Sequence, residues 1–360
     1  MTAARGWAIA AARRGAVLAT LGALLALALG PNPGRAGDEV RFLTWEDYIA
    51  PEVIARFEAR TGNRIVVVPV VSGTQLLAEL RSGQGDYDLA NPLDHQIALL
   101  IAEGRLERID SESLAHYANI EEPWRQPPYD RNNRYTVPFH WGTTAFAVDT
   151  AVYDGDIDSY GVLFNPPAAL KGRISHLIGA GEVIQMGLTY LGLPPCSTRD
   201  ADIERVLELI RPGLDKDHVT TIATVIDTLS GAGVAAGVAW NGDALRARQK
   251  KPSLRYAYPR EGALVWADAL VVPKGARHHA AAVAFMDFML LPENAAAQSN
   301  FTRYANSIRG SDAFLAPENL EAPEIIVPSR VKISFMEFCG GDAVDLHENR
   351  YNQELLKHSH

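Results

Sequence analysis

The chain has 360 residues, of which 47% are hydrophobic and 8% aromatic, and its formal net charge is −9. This composition excludes an intrinsically disordered chain, and a length of this order favours two lobes over a single core. The negative charge disfavours a nucleic-acid partner, because phosphates would be repelled, and it favours cationic ligands.

The first 36 residues are predicted to be an export signal and not part of the fold. Basic residues, among them Arg13 and Arg14, precede an apolar run at residues 15–29, and the sequence Gly34-Arg35-Ala36 has the small-x-small pattern of a cleavage site. The run is short for a membrane span, although an uncleaved anchor stays an alternative. Removing residues 1–36 removes four arginines and no acid, so the charge changes from −9 to −13.

After the signal, apolar runs and helix-like periodicity alternate, as expected of an α/β lobe. Pro51 is predicted to open a helix that Gly62 ends. The run at residues 64–71 is nearly continuous in Val and Ile, which indicates a strand buried on both faces of a parallel sheet. The other predicted elements of this lobe are strands at 40–43 and 87–90 and helices at 74–81 and 96–103.

The next region is predicted to lead into a second lobe. Residues 110–133 lack periodicity and are expected to form a loop, while residues 135–148 and 263–272 have strand composition and are expected to cross between the lobes. The other predicted elements are helices at 182–191, 201–210, 219–229, 279–290 and 292–300, a strand at 234–240, a helix beginning near Gly242, and a polar C-terminal tail. The predicted first lobe comprises residues 37–144 and 268–305, and the second comprises residues 145–267 and 306–360.

The chain has two cysteines, Cys196 and Cys339. In an oxidising compartment they would be able to pair, but a count of two also fits chance, so the sequence leaves the disulfide open. No second Cys or His stands at ligand spacing from either cysteine, so we predict no metal site and no cofactor.

Three tryptophans stand beside acidic residues. Trp45 is followed by Glu46, Asp47 and Tyr48, Trp240 precedes Asp243, and Trp266 precedes Asp268. A tryptophan face attracts a cation, and a carboxylate accepts the hydrogen bonds of that cation, so the pattern favours a pocket for a small organic amine. Trp266 and Asp268 are two residues apart on a predicted strand and should share a face. Asp243 as a first-turn helix acid, and Asp47 as a solvated one, are the alternatives.

Several segments, in this order and spacing, resemble one protein family: TWEDYIAPEVIARFEARTG, YDLANP, YTVPFHWGTTAFAV, GEVIQM, GVAWNGDALRARQ and YPREGALVWADALVVP. The chain resembles the periplasmic polyamine-binding proteins, the substrate-binding subunits of spermidine and putrescine ABC importers. The resemblance implies a two-lobed α/β periplasmic-binding-protein fold of type II, with mixed, mainly parallel sheets. It also implies a monomer exported to the periplasm, with cleavage near Ala36, that catalyses no reaction and whose partner is the membrane permease of an ABC importer.

In that family, aromatic rings enclose the methylene chain of the ligand and acids hold its ammonium groups. The matching aromatic positions are Trp45, Tyr48, Trp240 and Trp266, with Tyr304 as a looser match. The matching acids are Asp47, Glu182, Asp243 and Asp268, with Glu337 as a looser match where a family member has glutamine.

The chain also departs from the family pattern. Leu93, Asp94 and His95 stand where many members have a serine and then an aromatic residue, so a hydroxyl contact is lost and Asp94 and His95 are the candidates to replace it. Gly179 replaces an additional acid of the spermidine branch. The resemblance implies putrescine or a spermidine-like amine as the ligand, and these departures leave open which amine it is. The alternatives are another cationic or zwitterionic amine on the same fold, or a secreted hydrolase that uses paired acids.

Overall fold

The computed structural model describes residues 37–177, 179–214, 219–220, 224–328, 331, 333–335, 339 and 341–357. The predicted export signal lies outside the described residues. Within them, ten strands join into one mixed sheet in the order β2-β1-β3-β9-β4-β7-β5-β6, with β10 paired to β9 and β8 paired to β4. The strands are β1 (Glu39–Trp45), β2 (Arg64–Val70), β3 (Leu89–Ala90), β4 (Thr136–Asp149), β5 (Ile174–Leu177), β6 (Val219–Thr220), β7 (Ala236–Trp240), β8 (Leu254–Ala257), β9 (Ala263–Val271) and β10 (Ile333–Phe335).

Helices cover this sheet, so the predicted α/β fold class is confirmed. The first six in chain order are α1 (Pro51–Thr61), α2 (Gly73–Ser82), α3 (Asp94–Ala102), α4 (Gly161–Phe164), α5 (Ala180–Tyr190) and α6 (Asp200–Ile210). They are followed by α7 (Val225–Ser230), α8 (Asn241–Lys250), α9 (His279–Met289), α10 (Pro292–Thr302), α11 (Pro317–Leu320) and α12 (Gly341–Lys357). Short 3-10 helices interrupt the predicted loop at 110–133.

The long strands β4 and β9 pair antiparallel and connect two separate groups of buried apolar side chains. One group, which we call the second lobe, draws on residues 145–264 and on Tyr351. The other group, the first lobe, draws on residues 40–139 and 267–308. The division falls within both crossing strands, close to the predicted lobe boundaries at 144 and 268, which stay a prediction.

Local signals placed α1 correctly. Pro51 stands at its first position, and Gly62 ends it with a left-handed φ of 75°, a conformation that glycine adopts without strain. The expectation for β2 was wrong in one respect. This strand pairs parallel to β1, but it lies at the end of the sheet, and its residues are partly exposed instead of buried on both faces.

Two further predictions are corrected by tertiary contacts. The helix expected at 219–229 is a short strand, β6, followed by α7, because Thr220 pairs with Leu177 of β5 and its hydroxyl donates to the His176 carbonyl at 3.1 Å. The expected polar tail contains α12, which packs against α5 and α6.

Long-range contacts fix α12. The hydroxyl of its buried Tyr351 donates to the Leu177 carbonyl at 2.7 Å, and its Glu354 accepts from Arg211 at 2.6 Å. A disulfide between Cys196 and Cys339 also attaches this segment to the second lobe, which answers the question that the sequence left open.

Among the described residues, no single helix has the length and apolar composition of a membrane span, and α9 with α10 meets that test only as a pair bent by 83°.

Candidate functional site

The centre of the site is Asp268 on β9, whose side chain is 2% exposed. The Tyr48 hydroxyl donates to its Oδ2 atom, across 220 residues of sequence. Its Oδ1 atom is buried and finds no partner among the described residues. A buried acceptor without a donor is rare in folded proteins, so this oxygen indicates the place of a group supplied from outside the chain.

Asp94 in the first turn of α3 lies beside Asp268. Its Oδ1 atom accepts from the backbone N–H of His95 at 2.7 Å and lies 3.4 Å from His95 Nδ1. Its Oδ2 atom is buried and, within the described chain, unpartnered. Burial raises the pKa of the Asp268 carboxyl to about 8, against the opposing hydrogen bond from Tyr48 and with a further contribution from Asp94. Two neighbouring acids thus each have one buried oxygen without a partner among the described residues.

Tyr129 lies near this group, and no sequence pattern indicated it, because it falls in the aperiodic stretch at 110–133. Burial raises its pKa well above the ordinary range, and the charges of Asp94 and Asp268 add to the rise.

Aromatic rings form a wall next to these acids. Trp266 and Tyr304 meet edge to face with ring centroids 4.9 Å apart, and Tyr48 lies 6.0 Å from Tyr304. Gly142 of β4 stands opposite Trp266, where a Cβ atom would approach the indole Cζ2 to 2.5 Å. The glycine therefore makes room for the indole, whose buried Nε1–H has no acceptor among the described residues.

The second lobe contributes acids from the first turns of two helices. Asp243 of α8 lies 3.7 Å from Arg246 and is hydrogen-bonded to Tyr304, and burial raises its pKa to about 6. Glu182 of α5 is half-buried, and removal from water raises its pKa, while its own backbone N–H, the charge of His95 and a hydrogen bond from Trp240 oppose the rise.

The remaining predicted residues are placed differently. Trp45 is 5% exposed at the end of β1 and belongs to the same apolar cluster as Tyr129 and Ala267. Asp47 is exposed on the turn after β1 with a φ of 52°, so the fold does not bring it into the buried group. Glu337 lies outside the described residues. The structure does bring eight of the predicted residues together: Tyr48, Asp94, Glu182, Trp240, Asp243, Trp266, Asp268 and Tyr304.

A polar layer beneath Tyr48 holds it in place, and no motif pointed to it. The Gln298 amide donates to the Tyr48 carbonyl at 2.8 Å and lies 3.1 Å from His140 Nε2, while its Oε1 atom accepts from the Ala50 N–H at 2.8 Å. The His140 ring meets Tyr48 edge to face at 5.0 Å. Burial lowers the pKa of His140 to about 3, so this histidine is neutral at physiological pH.

The sequence profile of the bacterial extracellular solute-binding proteins matches residues 52–325. The chain belongs to this family. The resemblance seen in the sequence is thereby confirmed, and so is the expectation of a binding protein instead of an enzyme, which removes the support for a hydrolase.

Curated relatives match most of this solute-binding protein. A spermidine/putrescine-binding periplasmic protein of Salmonella typhimurium is 28% identical over 334 residues, which are 91% of this chain and 95% of the relative. A putrescine/agmatine-binding protein of Pseudomonas aeruginosa is 31% identical over 313 residues, 81% of this chain and 83% of its own. The crystal structure of a spermidine/putrescine ABC transporter substrate-binding protein from Streptococcus pneumoniae superposes with a TM-score of 0.74 at 24% identity, covering 89% of this chain and all of that one, which shows the fold.

Proposed function

We propose that this solute-binding protein captures a polyamine, putrescine or a spermidine-like amine, between its two lobes and delivers it to an ABC importer. The relatives support the class of ligand, since the spermidine/putrescine-binding and putrescine/agmatine-binding proteins match over most of their lengths. The fold supports the place, because the paired strands β4 and β9 cross between the two lobes and β9 carries Trp266 and Asp268. Closure of the lobes would then bend these strands near residues 143–148 and 263–268.

The observation that carries the proposal is the pair of unpartnered carboxylate oxygens, Asp268 Oδ1 and Asp94 Oδ2. A primary ammonium has three N–H donors and one positive charge, so it can satisfy both oxygens and relieve the repulsion between the two acids. A neutral ligand would supply hydrogen bonds but no charge to stabilise the ionised form of Asp268, whose pKa burial raises to about 8. The site therefore favours a cation.

The aromatic wall suits the rest of such a molecule. The ring centroids of Trp266 and Tyr304 lie 4.9 Å apart, and those of Tyr304 and Tyr48 lie 6.0 Å apart. Apolar and aromatic surface of this kind accepts methylene groups, and the ring faces attract the adjacent charge. The arrangement fits an ammonium group on a short methylene chain.

The test is a ligand panel followed by thermal denaturation and calorimetry. Putrescine, cadaverine and spermidine should raise the melting temperature, because a ligand that binds the folded state at 100 times its Kd stabilises it by about 2.7 kcal/mol. Choline, a quaternary amine without N–H donors, is the matched control and should bind more weakly. The proposal is refuted when none of the three polyamines shifts the melting temperature. Tight binding of choline would show that the ligand belongs to another class of amine.

The cellular part of the proposal has its own measurement. We propose export to the periplasm with removal of residues 1–36, a monomeric state, and a membrane permease as partner. The relatives named periplasmic support the location. N-terminal sequencing of the exported protein should begin at Gly37, and its mass by light scattering should be that of one chain. A retained N-terminus in the membrane fraction would show an anchor instead.

A further inference from the structure

The acids at the two ends of the site are not equivalent. At the first-lobe end, Asp268 and Asp94 each keep one buried oxygen without a partner among the described residues. At the second-lobe end, Asp243 already has the Tyr304 hydroxyl and the Arg246 guanidinium, the latter at 3.7 Å. Glu182 there already receives a hydrogen bond from Trp240. The two carboxylate oxygens that lack a donor are therefore both at the first-lobe end, and that is where a cation is expected to bind.

The second-lobe end instead offers a donor. Trp266 is 7% exposed, and its Nε1–H has no acceptor among the described residues. The indole edge next to this nitrogen faces Gly142: a Cβ atom on that glycine would lie 3.0 Å from the indole Cε2, and it would lie 2.5 Å from Asn241 Oδ1. That oxygen already accepts from the Thr143 N–H at 3.2 Å.

The start of α8 adds further donors beside this indole. Asn241 is its first residue, so the first N–H groups of the helix lack acceptors within the helix and carry a partial positive charge. The indole N–H and the helix start together favour an acceptor at this end.

We propose that the natural ligand is a mono-acylated diamine, held with its free ammonium between Asp94 and Asp268 and its amide carbonyl accepting from Trp266 Nε1–H. This rests on the function proposed above and narrows the ligand class of the same site. A second ammonium at the far end would meet acids that already have partners and an indole N–H that repels it. A carboxylate would meet Asp243 and Glu182. A neutral carbonyl supplies the missing acceptor without either conflict.

Three ligands of the same chain length test this on the unaltered protein by calorimetry at pH 7. Putrescine carries an ammonium at both ends, N-acetylputrescine carries one ammonium and one amide, and 4-aminobutyrate carries one ammonium and one carboxylate. N-acetylputrescine should bind more tightly than putrescine, by about tenfold for one added buried hydrogen bond and one removed charge conflict. The inference is overturned when N-acetylputrescine binds equally or more weakly than either of the other two.

That outcome leaves the proposed function intact, because putrescine would still bind. Failure of the function itself looks different: none of these amines, nor spermidine, would then bind. The two failures are therefore distinguished by the same titrations.

A variant isolates the hydrogen bond. Trp266→Phe keeps an aromatic ring but lacks the N–H, so N-acetylputrescine should lose roughly 3- to 10-fold in affinity while putrescine loses less. Trp124→Phe makes the same chemical change at a half-buried tryptophan that stacks on Trp141, outside the site, and should leave the ratio of the two affinities unchanged. An equal loss for both ligands in Trp266→Phe would show that Trp266 is only a wall of the pocket and would overturn the inference.

Discussion

Replacing Asp268 with asparagine should have opposite effects on the empty protein and on ligand binding. Burial raises the pKa of this carboxyl from 3.8 to about 8, so the folded, ligand-free protein retains a proton that the unfolded chain has lost. The contribution of this carboxyl to the free energy of unfolding is therefore complete below about pH 4, and it is lost as the pH rises towards 8. At about 1.4 kcal/mol per pKa unit, the fall is at most roughly 5 to 6 kcal/mol.

Asparagine has nearly the same shape and does not ionise, so the Asp268→Asn variant lacks this fall. The free energy of unfolding of the ligand-free variant should exceed that of the unaltered protein increasingly from pH 5 to pH 9. Polyamine binding should weaken by roughly 1.5 to 3 kcal/mol, the scale of a hydrogen bond to a charged group. Urea denaturation across this pH range measures the first effect, and calorimetry at pH 8 measures the second.

The control is Asp149→Asn. Asp149 is also buried, at 4% exposed, but it is paired with Lys251 at 2.8 Å, so its loss should destabilise the protein without affecting ligand affinity. If Asp268→Asn instead destabilises the empty protein equally at pH 5 and pH 9, the carboxylate is a structural group. If the affinity is unchanged, Asp268 does not contact the ligand.

Three further predictions concern the same molecule. Ligand binding at pH 7 should release close to one proton, because the ammonium ionises Asp268, and calorimetry in phosphate and Tris buffers will detect it as a buffer-dependent enthalpy; equal enthalpies, once corrected for ligand, would contradict this. Gly142→Ala should displace the Trp266 indole and weaken binding at least tenfold, with a change in near-ultraviolet circular dichroism; unchanged affinity would show that the indole is free to shift. Replacing both Cys196 and Cys339 with alanine should lower the free energy of unfolding by roughly 2 to 5 kcal/mol, since the disulfide closes 143 residues of chain; a melting temperature equal to that of the unaltered protein would contradict it.

Much of the local structure could be predicted because its causes are local. Proline at the first position of α1 and glycine after its end act within a few residues, and they set the bounds of that helix. The alternation of side chains along a strand likewise places Trp266 and Asp268 on one face of β9 without any long-range information. The family resemblance, and one departure from it at Asp94, then connected residues from distant parts of the chain, and the fold brings eight of them together.

The sequence by itself thus determined the alternation of strands and helices, the tryptophan and acid pairs and the class of protein. The tertiary structure decided that β2 is an edge strand, that α12 is buried against the second lobe, that Asp47 lies outside the buried group and that Tyr129 lies near it. It also decided which acids have partners: Arg246 lies beside Asp243, while Asp268 keeps a free oxygen although Tyr48 reaches it across 220 residues. The charge and hydrogen-bonding state of a buried carboxyl depends on every group packed around it, and only the folded chain assembles those groups.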